Sequence, residues 1–319
     1  MAIRRFVLGV ALALAFASSA QAGSAIMIDP NGDGVGALSV GSLDWNVGSA
    51  LLQNVGVPIG SPGVQIYGHA GLSGYNDPTN TPIGGTGLNT SFEWTYSLGT
   101  LAANFSIPIL GIFNFPTIAG GDNFFRIYYD PAKNANDLAG TGFNDGTLIL
   151  EGTIQPGGAN NFLANAFNTP LDPSDDGGPG NPLDAHGTNN YPAISSINGN
   201  GGSSILIAVT FFDPNFFLTP PTVIEIDFTS NNHLNFNNTD PSALFFRGDG
   251  SSTPGATVAS VGTCNGCPAE TAPNVIVQVD GSSSFTSVQT PLPGSLAMIG
   301  SGLGLLLLAG GGVLRRRLS

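Results

Sequence analysis

Residues 222–228 read TVIEIDF, and the order of their side chains decides the fold class. From Ile224 to Phe228 apolar and acidic residues alternate strictly. Ile224, Ile226 and Phe228 therefore fall on one side of an extended chain, with Glu225 and Asp227 on the other. A period of two marks a strand with one face buried and one in water, whereas a helix needs a period of 3.6. Just upstream, residues 205–212 (ILIAVTFF) form a continuous apolar run, as expected of a strand covered on both faces. Further strands are predicted at 124–129, 147–154, 243–246 and 274–279. Residues 92–98 and 105–115 are expected to pair, with Pro108 placing the second at an edge. The one helix candidate in this middle region is short, around 130–138.

The punctuation agrees with a strand-rich chain. Asn31-Gly32, Asp33-Gly34, Asp145-Gly146, Asn198-Gly199, Asp249-Gly250, Asn265-Gly266 and Asp280-Gly281 are pairs suited to the left-handed residues of hairpin turns. Many short strands joined by such turns read as an all-β domain, a β-sandwich or jelly roll. Residues 168–196, rich in proline and acid, read as a long loop. Residues 282–293 read as a Ser/Thr/Pro stalk.

Both ends of the chain are apolar. Arg4 and Arg5 precede an unbroken apolar run, and Ala20-Gln21-Ala22 is a small-x-small cleavage site that would leave Gly23 first. Residues 1–22 thus read as a secretory signal peptide. Residues 295–314 carry no charge, long enough for a helix to span a bilayer, and Arg315, Arg316 and Arg317 follow at once. Positive charge stays on the cytoplasmic side, so the preceding chain is expected outside. The expected organisation is a signal at 1–22, a β-rich exported domain at 23–281, the stalk at 282–293 and a transmembrane sorting segment at 294–319.

Between these ends the chain keeps three cationic side chains, Arg126, Lys133 and Arg247, against all 21 acidic ones. Such a surface repels phosphate backbones, which excludes nucleic acid as a partner. Charged residues make up 9% of the chain, well below the ~25% of an ordinary soluble domain, and Gly and Asn stand in their place. The 41% hydrophobic content still suffices for a core.

Signatures of catalysis are missing. His69, His186 and His233 are far apart and form no zinc pattern, and there is neither a nucleophile elbow nor a phosphate loop. A carboxylate pair drawn from Glu93, Glu151 and Glu225 would be spatial, and the sequence gives no reason to choose among them. Cys264 and Cys267 flank an Asn-Gly turn. In an exported chain that spacing suits a small structural disulfide better than half a zinc site. Asp29-x-Asn31-x-Asp33-Gly34 matches the first half of a calcium loop, with Asp29, Asn31 and Asp33 as ligands. Val40 stands where the bidentate Glu of such a loop belongs, and the alternative is an Asx-rich turn. Calcium is thus the one cofactor the sequence suggests.

The C-terminal order of Pro291-Leu292-Pro293, apolar Gly-rich stretch and Arg315 to Arg317 resembles the PEP-CTERM sorting signal of Gram-negative bacteria, with Leu292 where the family has Glu. Residues 123–154 (NFFRIYYDPAKNANDLAGTGFNDGTLILEGTI) resemble the flocculation-associated members of that group, as do Ile28-Asp29-Pro30-Asn31-Gly32 and Leu43-Asp44-Trp45. The resemblance implies an exosortase-type processing enzyme as partner and a transient stay in the inner membrane. Release to the cell surface or extracellular matrix would follow, with a role in aggregation involving exopolysaccharide. It brings no catalytic residues. The expectation is a non-enzymatic surface protein that promotes floc or biofilm formation through polysaccharide or self-association. The alternatives are a secreted carbohydrate-binding or carbohydrate-active module and a calcium-stabilised structural protein. Within 123–154, Tyr128 and Tyr129 should face opposite sides of a sheet, one in the core and the other free to stack on a sugar.

Overall fold

The structure, a computed structural model, describes residues 25–106, 112–136, 139–170, 195–231, 244–245, 256–257 and 274–286. The cleavage residues Ala20, Ala22 and Gly23, the cysteines Cys264 and Cys267, and the sorting residues Pro291, Leu292, Pro293, Arg315, Arg316 and Arg317 lie outside them. So does most of the 168–196 loop. Among the described residues no helix is long and apolar enough to cross a membrane.

Every regular element described is a strand. In chain order these are β1 (Ile26–Ile28), β2 (Leu38–Val40), β3 (Ser42–Trp45), β4 (Gly48–Gln53), β5 (Pro62–Asn76), β6 (Pro82–Ile83), β7 (Glu93–Ala103), β8 (Ile112–Asn114) and β9 (Thr117–Ile118). They continue as β10 (Phe124–Asp130), β11 (Thr147–Ile154), β12 (Ala159–Pro170), β13 (Ser195–Phe212), β14 (Val223–Asn231), β15 (Leu244–Phe245), β16 (Ala256–Thr257) and β17 (Val275–Thr286).

The main sheet runs β11-β10-β7-β5-β3-β17-β14-β13, and β13 then pairs β11, so eight antiparallel staves close into a barrel. The all-β expectation holds, but the strands form one closed sheet where a sandwich of two was expected. The reason is that β13 is paired along both edges, by β14 and by β11. Alternation within a strand tells which face is buried and is blind to whether that face looks onto a second sheet or across a lumen. Two staves are bent composites. β3 and β4 together pair both β17 and β5, and β11 is followed by β12 along β13.

The decisive stretch sits where its period places it. In β14, Ile224 lies opposite Ile207 and Phe285, Ile226 opposite Ile205 and Ser283, and Phe228 opposite Ser203 and Gly281. All face the interior, and Ile224 and Ile226 are completely buried. One half of the lumen is filled by aromatic rings. Trp45 meets Tyr96 edge-on at 4.8 Å between centroids, and Tyr75 meets Trp94 in the same way at 5.4 Å. The β1–β2 hairpin joins this core with Ile26, Ile28 and Val40, and Trp94 Nε1 donates to the Pro30 carbonyl at 2.9 Å.

Several expectations need correction. In 205–212 only one face is covered: Ile205 and Ile207 are buried, while Leu206 and Phe211 are 46% and 43% exposed. Asn198-Gly199 and Asp280-Gly281 are not turns but lie inside β13 and β17. At Gly281 the reason is close packing, since a Cβ there would come within 2.9 Å of the Phe228 ring. β17 continues through Thr286, so the first residues expected to belong to the stalk are barrel stave. Residues 131–136 are not helical: the chain bends at Pro131 and Ala132, and Asn136 bridges to Thr141. Their backbone is held by carboxylates: Asp130 accepts from Ala132 N at 2.7 Å, and Glu93 accepts from Asn134 N at 2.7 Å and Ala135 N at 3.0 Å.

Candidate functional site

The outside of the barrel has a covered side and an uncovered side. On the covered side Tyr67, Leu51, Phe124 and Ile276 form a second apolar cluster with Phe245 of β15. His69 lies between two rings, 4.0 Å from Phe143 and 4.7 Å from Phe245. Burial depresses its imidazole from the usual 6.5 to about 3, so at neutral pH it carries no charge. Glu93, beneath the 131–136 segment, is raised above its ordinary value, chiefly by burial.

The uncovered side is the outer face of β13, β14, β17 and β3. Across it Ser204 pairs with Asp227, Asp227 with Ser282, and Ser282 with Asp44. All four are exposed. A second row beside it runs Leu206, Glu225, Ser284, Ser42. Ser73 of β5 extends the first row, its hydroxyl donating to Asp44 Oδ2 at 2.7 Å and to the Asp44 carbonyl at 2.9 Å. Ser204 donates to Glu225 Oε1 at 3.3 Å. Asp280, near Asp44, is raised by partial burial first and by that neighbouring charge second. Neighbouring staves stand about 4.8 Å apart, so the face is a lattice of hydroxyls and carboxylates.

The sequence pointed to Glu225 and Asp227 on this face, but not to Ser282 and Ser284. The signal was there: Val275, Val277, Val279, Gly281, Ser283 and Phe285 continue one period-two series. The turn-like Asp280-Gly281 interrupts it to the eye.

The candidate glutamates Glu93, Glu151 and Glu225 are not brought together. Glu93 is on β7, Glu151 on β11 and Glu225 on β14, no two of them adjacent staves. Glu151 Oε1 instead accepts from Arg126 Nη2 at 2.6 Å and Nε at 2.8 Å. Tyr128 and Tyr129 do point to opposite sides, but neither is an open platform. Tyr128 is buried, and Tyr129 packs inward against Phe216 at 5.0 Å and Phe92 at 5.3 Å.

Asp29, Asn31 and Asp33 lie together in the loop between β1 and β2. Asp29 is fully buried, and its carboxylate accepts from Asn31 N at 3.3 Å, Gly32 N at 3.0 Å and Gly34 N at 2.7 Å. Asn31 Nδ2 donates to Asp33 Oδ2 at 2.8 Å, and Asp33 Oδ1 accepts from Val35 N at 2.8 Å. In this arrangement Asp29 organises the loop as an anion would, and a cation there would have to displace backbone N–H donors.

Opposite the aromatic half, the lumen opens into an apolar cavity of about 90 Å³. Small residues at inward positions, Ala50 and Gly68, leave the space; Leu52, Ile66, Leu98 and Val277 wall it. Asn160 and Ser203 lie beside it, hydrogen-bonded to each other, with Asn160 Nδ2 also donating to the Phe115 carbonyl at 2.7 Å.

No protein-family model, curated protein or solved structure matches this chain.

Proposed function

We propose that this chain is an exported, non-enzymatic surface or matrix protein. It would hold bacterial cells together by binding secreted polysaccharide, or further copies of itself, through the uncovered face of β13, β14, β17 and β3. The observation that carries the reading is the exposed row Ser204, Asp227, Ser282 and Asp44. Serine hydroxyls donate and accept, and carboxylates accept from the hydroxyls of a sugar. Held on rigid staves, these groups lose little freedom on binding. Leu206, at the margin of the row, offers apolar surface for the C–H face of a ring.

The flanking segments support the same reading. A signal at 1–22 and a sorting tail at 294–319 resembling PEP-CTERM fit secretion, exosortase processing and delivery to the matrix. The net acidity of the middle region opposes close approach of copies, so assembly should strengthen as salt screens the charge.

The test is cosedimentation with the host's own exopolysaccharide. Replacing Asp44, Asp227 and Ser282 together by Ala should weaken retention about tenfold or more, at the scale of several lost polar contacts, with melting temperature unchanged. In cells, a deletion strain should regain flocculation with the wild-type gene and not with the triple variant. A triple variant that flocculates normally would sink the proposal. The mass of the extracellular protein reports separately on whether the signal and the tail are removed.

A further inference from the structure

We infer that the open half of the barrel lumen is a binding site for a small, mostly apolar molecule bearing one hydrogen-bonding group, and that the Thr100 hydroxyl is its polar anchor. Thr100 sits on β7 opposite Ile66, points into the lumen and lines the cavity. It is 2% exposed, and among the described residues its Oγ1 has no hydrogen-bond partner. Buried hydroxyls are almost always paired, so an orphan aimed into an unfilled space indicates a group that arrives from outside. The walls Leu52, Ile66, Leu98 and Val277 are apolar, and the polar side chains of Asn160 and Ser203 in the same lining are already bonded to each other and, through Asn160 Nδ2, to the Phe115 carbonyl. An apolar space of this kind does not hold ordered water well, and a cavity of about 150 Å³ lined by such residues takes up benzene. The volume here is smaller but the cavity is open on one side, so a ring or short chain of roughly six to eight heavy atoms with one hydroxyl or carbonyl fits with its far end outside.

The shape of the barrel explains why the site is here and not elsewhere in the lumen. The other half is filled by Trp45, Tyr96 and Phe125. At this end Ala50 and Gly68 face each other across β4 and β5 and leave the interior unfilled. The fold thus pays for a void it could have closed with larger side chains, which a purely structural barrel has no reason to keep. The site is independent of the polar outer face, and neither proposal rests on the other.

The probes are 4-fluorophenol and, as the partner lacking a polar group, fluorobenzene, followed by fluorine NMR on the purified full chain. Saturable binding of 4-fluorophenol is expected. The isosteric Thr100→Val should weaken it at least fivefold, leave fluorobenzene unchanged and raise the melting temperature of the unliganded protein. Leu98→Trp, which fills the cavity, should abolish both; Val277→Phe serves the same purpose if the first does not fold. Uptake that these filling variants leave unchanged is partition elsewhere and overturns the inference. So does the absence of saturable binding, as when another part of the chain occupies the cavity, or an affinity for 4-fluorophenol indifferent to Thr100→Val.

Discussion

Trp45 and Ser283 meet inside the barrel: the indole Nε1 donates to the Ser283 hydroxyl at 2.9 Å, although 238 residues separate them. Trp45 is 1% exposed and Ser283 not at all. The bond ties β3 to β17, the first stave of the barrel to the last. Ser283→Ala should leave the indole N–H buried without a partner and cost about 1–3 kcal/mol in urea unfolding. Trp45→Phe together with Ser283→Ala should cost less than the two single changes added, because the second change then removes nothing further.

The same stave makes a prediction about length. A chain ending at residue 281 loses the part of β17 that pairs β3 and most of its pairing with β14. It should be digested rapidly by a nonspecific protease and lack a cooperative melt, because the sheet is left with raw edges. A chain ending at 290 should resist digestion as the full chain does. Equal resistance of the two would show that residues 282–286 are dispensable stalk after all.

His69 gives the barrel a dependence on acid. Its folded pKa is lowered to about 3 while the unfolded value is 6.5, so below 6.5 the unfolded chain takes up a proton that the folded one refuses. Stability from this residue is present above pH 6.5 and is lost as pH falls toward 3, a loss on the order of 4 kcal/mol. Glu93 and Asp280 act with the opposite sign. Both are raised by burial, so their contribution declines as pH rises from their ordinary carboxylate values through the raised ones. His69→Phe should remove the loss toward acid and expose this opposing slope. Denaturant midpoints measured from pH 3 to 8 check both signs.

Asp29 should matter more than an ordinary loop carboxylate. Removing it in Asp29→Ala strands three backbone amides at the mouth of the aromatic core, where the loop also holds Trp94 through the Pro30 carbonyl. The expected cost is about 2–3 kcal/mol by thermal or chemical unfolding, with Asp29→Asn in between because one acceptor remains. A loss below 0.5 kcal/mol would mean that the loop does not clamp the barrel end.

Residues 28–34 also show how a short motif divides between readings. The spacing of Asp29, Asn31 and Asp33 is the same for a cation loop and for an Asx-rich turn, because both need oxygen atoms at alternate positions and a Gly able to turn sharply. Gly32 and Gly34 do adopt positive φ, 70° and 84°. What the spacing leaves open is which way the carboxylates point, and that follows from burying Asp29 under the hairpin beside the barrel.

The sequence by itself determined that this chain is built of strands and which side chains of 224–228 look inward, because alternation is a local consequence of the pleat. It also determined the acidity of the middle region and the apolar composition of the two ends. Only the tertiary structure decided that β13 finds a partner on each edge and closes the sheet. The same is true of the strand positions of Gly281 and Ser283, and of the lumen left open around Thr100. Each depends on which distant residues stand opposite, on Phe228 facing Gly281 or Trp45 facing Ser283, and the order of side chains along one strand carries no record of the strand beside it.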